Sequence, residues 1–156
     1  MAQLLLVSCT SREPLVFAEP NPIRLDPTAD RSVYLAKLGE MNSLWQSKEP
    51  ESYEYKAIRG GSFGYSEYLV RVDKGRCFAK SRYGSEEPGR WKKADCSNIS
   101  VAGLFEDTAT QFERGFNGAE IEFDQVWGFV SYFYSEPAGE ISDQSWYFQV
   151  IDLVPL

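Results

Sequence analysis

The order of two hydrophobic periodicities constrains the fold of this 156-residue chain more than any other feature. Apolar residues recur with helical spacing over about 32–46 and again over about 100–114. Each of these segments is followed by runs in which apolar and polar residues alternate, which is typical of strands with one buried face. Single helices between runs of strands favour an α+β domain with an antiparallel sheet over a doubly wound fold.

Both predicted helices have residues that commonly begin and end helices. Asp30 or Ser32 can accept a hydrogen bond from the first free backbone amides of the first helix, and Ser100 can do the same for the second. Pro50 ends the first helix, because the residue before a proline avoids the helical region. Gly115 or Gly118 supplies a stop for the second.

The alternating runs set the predicted number of strands. Three runs follow the first helix, with turn signals at Gly60-Gly61 and at Asp73-Lys74-Gly75, and they predict an antiparallel meander. Two strands are expected after the second helix, and a further alternating segment after Gly128 leaves a third one open. We therefore predict one domain over residues 31–156, of order α-β-β-β-α-β-β. Its two helices would pack on one face of an antiparallel sheet of about five strands.

Charge is divided unevenly along the chain. The net charge is −7, but residues 1–93 carry a net +3 and residues 94–156 a net −10. An acidic protein is repelled by phosphate backbones, so nucleic acid is not expected as a partner. Either the strands of the two halves interleave and mix these charges, or the basic residues form a patch for an acidic partner. That patch would comprise Lys74, Arg76, Lys80, Arg82, Arg90, Lys92 and Lys93, with Glu86 and Glu87 inside the run.

The N-terminus resembles the cleavage site of bacterial lipoproteins, in which a cysteine receives the lipid. Leu6-Val7-Ser8-Cys9 fits the four positions, although the apolar run before it is shorter than an ordinary signal peptide. Residues 10–30 contain four prolines, which disfavour a helix, so we predict an extended tether there. We therefore predict that residues 1–30 are a truncated signal-like start and a tether, with attachment to a membrane through a lipid on Cys9. The alternative is an N-terminal arm packed on the domain.

The other two cysteines form an even pair. Cys77 and Cys96 are 19 positions apart and flank a polar loop, which predicts a disulfide in an oxidising compartment. In the chain-entropy model a disulfide that closes a loop of this length stabilises a protein by roughly 3 kcal/mol. Two buried free thiols in a cytoplasmic protein are the alternative.

Several short motifs follow one another over about residues 40–154. They are Tyr53-x-Tyr55, a strand turn (Val70, Val72, Gly75), the paired cysteines, Leu104-Phe105, Ile121-x-Phe123-Asp124 and Asp143 before the last strand. Their order resembles that in a family of uncharacterised bacterial envelope lipoproteins that carry a domain of unknown function. Trp127-Gly128-Phe129-Val130 stands where the family has Tyr-Gly-Tyr-Pro, and the missing proline is a departure from the pattern. The resemblance implies an anchored domain outside the cytoplasm and implies no activity.

The chain contains no histidine, which excludes Ser-His-Asp and Cys-His mechanisms and every zinc site that uses histidine. Glu120, Glu122 and Asp124 alternate and would share one face of a strand. They are either the solvated side of that strand or a weak acidic site for acid–base chemistry. We predict no catalytic residues, no metal and no cofactor.

These observations favour a monomeric, non-enzymatic binding or accessory module of the bacterial cell envelope, in the periplasm or at the cell surface. Its partner would be a protein or a glycan. The alternatives are a small carboxylate-dependent hydrolase or lyase, and a cytoplasmic domain.

Overall fold

A computed structural model describes residues 20–62, 64–82, 89–139 and 145–156. These ranges form two long helices, one helical turn and eight strands. In chain order the elements are β1 (Ile23–Leu25), α1 (Arg31–Lys48), β2 (Ser52–Gly61), β3 (Gly64–Asp73), β4 (Arg76–Arg82), β5 (Lys92–Ala94), α2 (Cys96–Ile99), α3 (Val101–Arg114), β6 (Phe116–Phe123), β7 (Val130–Pro137) and β8 (Trp146–Pro155).

The strands form one antiparallel sheet in the order β1-β6-β7-β8-β2-β3-β4-β5. The α+β class and the two long helices agree with the sequence prediction. The predicted count of about five strands and the order α-β-β-β-α-β-β are wrong. Three strands follow α3 instead of two, and β1 and β5 were missed because three residues are too few to show an alternating pattern.

Strand β1 also changes the boundary of the expected tether. Its residues lie inside the segment 1–30, yet Ile23 pairs with Ile121 and Leu25 with Ala119 on β6. The end of that segment therefore belongs to the sheet. Cys9 and the rest of residues 1–19 lie outside the described residues.

Local signals account for the two long helices. The Asp30 carboxylate accepts a hydrogen bond from the backbone N–H of Ser32 (2.9 Å) and caps α1. The Ser100 hydroxyl accepts one from the N–H of Gly103 (3.0 Å) and caps α3. Gly115, with φ of 85°, ends α3 in a region that glycine adopts without strain. The predicted helix limits are thus within two residues of those observed.

The core lies between the helices and one face of the sheet. Trp45 of α1 is fully buried, and its ring packs edge-on against Tyr53 of β2 (5.4 Å between centroids) and against Phe129 (5.9 Å). On α3, Phe112 packs edge-on against Phe133 of β7 (5.7 Å). Aromatic rings in this arrangement contribute to stability beyond the area that they bury.

Two buried tyrosines connect the sheet to the start of α3. The Tyr55 hydroxyl donates a hydrogen bond to the carbonyl of Ile99, and the Tyr53 hydroxyl accepts one from the N–H of Val101 (3.2 Å). Burial, the main cause in both cases, raises the pKa of Tyr53 to about 12 and raises that of Tyr55. Both hydroxyls therefore stay protonated and hold the junction between α2 and α3.

The predicted disulfide is present. Cys77 on β4 is bonded to Cys96, the first residue of α2, with 5.3 Å between their Cα atoms. The Cys77 side chain is 1% exposed. The bond fastens α2, and through it the start of α3, to the sheet.

Candidate functional site

The sheet face opposite the helices is the candidate functional site, and we call it the open face. Strand register assigns residues to it, because side chains alternate between the two faces of a strand. One row of cross-strand neighbours on this face runs Arg24, Glu120, Tyr134, Tyr147, Gly60 and Tyr65. The next row runs Glu122, Tyr132, Gln149, Ile58 and Glu67. A band of tyrosines therefore crosses the middle of the open face.

The tyrosines of this band contact each other and nearby acids. The rings of Tyr132 and Tyr147 pack edge to face, with centroids 5.7 Å apart. The Tyr134 hydroxyl donates a hydrogen bond to the Glu136 carboxylate (2.7 Å). Tyr65, at the hairpin between β2 and β3, is 72% exposed. The band thus offers partly exposed rings together with hydroxyl groups.

The surroundings raise the pKa values of these hydroxyls above the ordinary tyrosine value near 10, so they are neutral at pH 7 and remain so at higher pH. The hydrogen bond to Glu136, with burial and the nearby acids as smaller causes, raises the pKa of Tyr134 to about 12. Burial, with Glu120 and Tyr147 close by, also raises the pKa of Tyr132. Protonated tyrosines are hydrogen-bond donors at neutral pH and poor nucleophiles. This chemistry suits recognition better than covalent catalysis.

The β4–β5 side of the open face carries cations around a tryptophan. The Arg71 guanidinium and the Lys80 ammonium lie 4.8 Å and 4.6 Å from the ring centre of Trp91. Arg71 also forms an ion pair with Glu54, and Lys56 with Glu67 (3.3 Å). Such contacts hold long side chains in place against the sheet.

Within the sheet, the strands of the two chain halves lie apart instead of interleaving. Strands β6–β8 occupy one side and β2–β5 the other, with β1 as the exception, whereas the helices bring the halves together, as in the ion pair between Arg59 of β2 and Asp107 of α3 (3.4 Å). The acids Glu120, Glu122 and Glu136 lie on the first side. Two residues of the expected basic patch lie near acids: Lys74 near Glu51, and Arg76 near Asp73. Lys80 lies over the ring of Trp91. The exposed members, at or near β5, are Arg90, Lys92 and Lys93. The Arg82 side chain, Glu86 and Glu87 lie outside the described residues.

The expected acidic group is only partly brought together. Glu120 and Glu122 are half-buried on the open face, opposite Tyr134 and Tyr132. Asp124 follows the end of β6, and its carboxylate accepts hydrogen bonds from the backbone N–H groups of Val126 (2.9 Å) and Trp127 (2.7 Å). Asp124 therefore organises a turn, as aspartate commonly does. Within the described ranges, no cluster of cysteine and acidic side chains could hold a metal ion.

The tyrosine band was not identified from the sequence. Tyr132 and Tyr134 alternate with Phe133 and Ser135, and their size makes them look like the buried side of the strand. The structure buries Phe133 and Ser135 and leaves both tyrosines half-buried on the open face. Alternation shows that a strand has two faces, but it does not show which one meets the core when both carry aromatic residues.

No helix among the described residues is long and apolar enough to cross a membrane. No protein-family model, no curated protein and no solved structure matches this chain.

Proposed function

We propose that this chain is a non-enzymatic binding domain of an oxidising compartment outside the cytoplasm, and that it binds its partner through the open face. The observation that carries the proposal is the tyrosine band: Tyr132, Tyr134, Tyr147 and Tyr65 lie across the four neighbouring strands β7, β8, β2 and β3, with charged residues on both sides. Tyrosine is enriched where proteins bind one another, because its ring is large and rigid and its hydroxyl can still bond.

The arrangement of charge supports a contact surface rather than a catalytic centre. Glu120 and Glu122 lie side by side on a broad sheet face, next to tyrosines whose pKa values are raised. A glycosidase-type reaction needs two carboxyl groups on opposite sides of a bond, about 5–10 Å apart. The carboxylate of Asp124, the third candidate, accepts hydrogen bonds from backbone amides of the turn that follows β6. A small carboxylate-dependent hydrolase or lyase is therefore the less favoured reading.

The disulfide supports the proposed compartment. Disulfides persist in oxidising surroundings and are rare in the reducing cytosol. Attachment through a lipid on Cys9 would place the domain at the bacterial cell envelope. This part of the proposal depends on the N-terminal motif and on the resemblance to envelope lipoproteins.

A binding assay with matched variants tests the proposal. We would use the full chain with Cys9→Ser, so that a lipid cannot contribute, and measure binding to a purified fraction of membrane and cell wall. Tyr134→Ala with Tyr147→Ala should reduce binding at least tenfold, because the pair lies at the centre of the band. The control is Val126→Ala, at a residue that is 64% exposed and not on the sheet.

The folded state of each variant is checked by its thermal unfolding. Equal binding by the tyrosine variant and the control would refute the open face as the contact surface. Turnover of a cell-wall or membrane component that is lost in Glu120→Gln would instead support the enzyme. The compartment is tested by quenching the cells with acid and treating the protein with a thiol-alkylating reagent. Cys77 and Cys96 should not react, because they are joined in the disulfide. Alkylation of both thiols would contradict the proposed compartment.

A further inference from the structure

The two halves of the open face differ in how their acidic side chains are paired. On the half formed by β2–β5, Glu54 pairs with Arg71, and Glu67 pairs with Lys56 (3.3 Å). The half formed by β6–β8 differs, because residues 115–156 contain no lysine or arginine. None of its three acids beside the tyrosine band forms an ion pair with a lysine or arginine of the described residues. These acids are Glu120, Glu122 and Glu136. The tyrosines of β7 and β8 therefore lie in a region of unneutralised negative charge.

Arg24 is the described cation that borders this region. It lies on the edge strand β1, directly opposite Glu120 in the strand register, but the two residues form no ion pair in the part of the chain that the structure describes. The Arg24 side chain is exposed, so a cation from a partner competes with a solvated group and not with a buried salt bridge. The carboxylates of this half remain available to a partner.

Each of two glutamates on β6 faces a tyrosine on β7. Glu120 lies opposite Tyr134 and Glu122 opposite Tyr132, and directly opposite residues in a sheet have Cβ atoms about 4.5–5.5 Å apart. Tyr147 packs against Tyr132 from the other side. The face of an aromatic ring attracts cations, and a carboxylate accepts two parallel hydrogen bonds from a guanidinium. An arginine side chain can stack on a ring and bond a carboxylate at once, which a compact ammonium cannot do.

The tyrosine hydroxyls are sensitive to the same negative charge. Burial is the main cause of the raised pKa of Tyr132, and the hydrogen bond to Glu136 is the main cause of that of Tyr134. The charge of Glu120 contributes to the raised pKa of both residues. The negative charge of β6 therefore extends across the rings of β7.

We propose that the partner is a protein that presents arginine side chains to this half of the open face. Their guanidinium groups stack on Tyr132 and Tyr134 and pair with Glu122 and Glu120. The two glutamate–tyrosine pairs are two residues apart on their strands, which is about 6.5–7 Å. Alternate residues of an extended segment have the same spacing, so arginines at every second position meet both pairs. This inference rests on the proposed function, because it assigns a partner chemistry to the same surface.

A synthetic peptide provides the direct probe. We would measure by titration calorimetry the binding of acetyl-(Arg-Ser)4-amide to the full chain with Cys9→Ser. The peptide with citrulline in place of arginine has the same shape and no charge, and it should bind about tenfold more weakly. The peptide with lysine has the same charge and should bind about threefold more weakly, because an ammonium does not stack. Equal affinities of the arginine and citrulline peptides, or of the arginine and lysine peptides, overturn the proposal.

Matched variants separate a local site from general attraction to an acidic protein. Glu120→Gln with Glu122→Gln should weaken binding of the arginine peptide about fivefold. The control is Glu106→Gln with Glu113→Gln, which changes the net charge by the same amount at two exposed positions of α3, on the helix side of the sheet. The control should bind as the parent protein does. Equal losses in the two variants would mean that the peptide follows the net charge of −7, and the proposal would fail.

Chemical modification of the membrane and cell-wall fraction separates this inference from the proposed function. Phenylglyoxal, which modifies arginine side chains, should reduce binding of the domain to that fraction about tenfold when the fraction is treated before mixing. Acetic anhydride, which acetylates lysines, should leave most of the binding. Binding that depends on Tyr134 and Tyr147 but survives phenylglyoxal would overturn the arginine partner, favour a glycan and leave the open face as the contact surface. Binding that depends on neither tyrosine would refute the proposed function and this inference with it.

Discussion

Loss of the Cys77–Cys96 bond should destabilise the domain by about 3 kcal/mol. The two residues are 19 positions apart, and closing a loop of that size removes entropy from the unfolded chain worth roughly this amount. A domain of this kind has a total stability of about 5–15 kcal/mol, so reduction removes a large part of it. The native structure should survive reduction, because the core contacts of Trp45 and Phe112 do not involve the bond.

Urea unfolding at pH 7 measures this effect, with tryptophan fluorescence as the signal because Trp45 is fully buried. Every protein carries Cys9→Ser, so that a third thiol cannot exchange with the bond. With a denaturant slope of about 2 kcal/mol per molar urea, reduction should lower the midpoint by about 1.5 M. The slope itself should rise, because the reduced unfolded chain exposes more surface.

The double variant Cys77→Ala/Cys96→Ala is the control. It should unfold near the midpoint of the reduced protein, with a small further loss from the sulfur atom removed at buried Cys77. Its midpoint should not respond to the reductant. A loss below about 1 kcal/mol on reduction, or a double variant that still responds, would refute the loop-entropy reasoning.

Three further predictions concern single positions. Gly103→Ala should destabilise the domain by about 2–3 kcal/mol, because a Cβ there would lie 2.2 Å from a backbone oxygen of α2. Gly39→Ala in α1 should stabilise the domain by about 0.5–1 kcal/mol, because no atom lies within 4 Å of a Cβ at position 39. The urea midpoints of the two variants measure both effects, and shifts of the same sign would count against the packing argument. Tyr53 alone should lower the unfolding free energy by about 2–3 kcal/mol as the pH rises from 10 towards 12, because unfolded tyrosines ionise near pH 10 while burial holds its pKa at about 12. Tyr53→Phe should make the fall in stability between pH 9 and pH 11 less steep, with the other tyrosines of raised pKa accounting for the rest, and an unchanged slope would contradict the linkage. Asp124→Ala should lower the unfolding free energy by about 1–2 kcal/mol, because two turn amides lose their acceptor. Glu120→Gln should change it by less than about 0.5 kcal/mol, and a larger loss would mean that Glu120 has a structural role.

Features that depend on neighbouring residues were predicted well from the sequence. The caps Asp30 and Ser100 and the stop at Gly115 act within one helical turn, so the helix limits were readable. The pairing of Cys77 with Cys96 followed from simple counting, and the structure confirms it. Cys9 lies outside the described residues, and its lipid attachment remains a prediction.

Features that depend on distant contacts were not readable. Strand β1 pairs with β6 across about a hundred positions, and its three residues carry no pattern of their own. The sheet order places β8 beside β2, which keeps the strands of the two halves on separate sides of the sheet. No local signal specifies that neighbour relation. The charge asymmetry was visible in the sequence, but the sequence did not show where the charged residues lie on the open face, because that depends on the strand order.

The acidic group illustrates both cases. Alternation placed Glu120 and Glu122 on one face, and the structure agrees. The same reasoning failed for Asp124, because β6 ends at Phe123 and a register shift precedes it. A strand end is set by the turn that follows it, and the Asp124 carboxylate makes that turn.

A photocrosslinking scan in the source cells tests the central claim most directly. A photoreactive amino acid is placed at Tyr132, Tyr134 or Tyr147 on the open face, and at the exposed positions Ala102 on α3 and Ala36 on α1 as controls. The account predicts one discrete adduct, of the same partner, from the open-face positions and none from the helix positions. Adducts from Ala102 or Ala36 with none from the three tyrosine positions would contradict it.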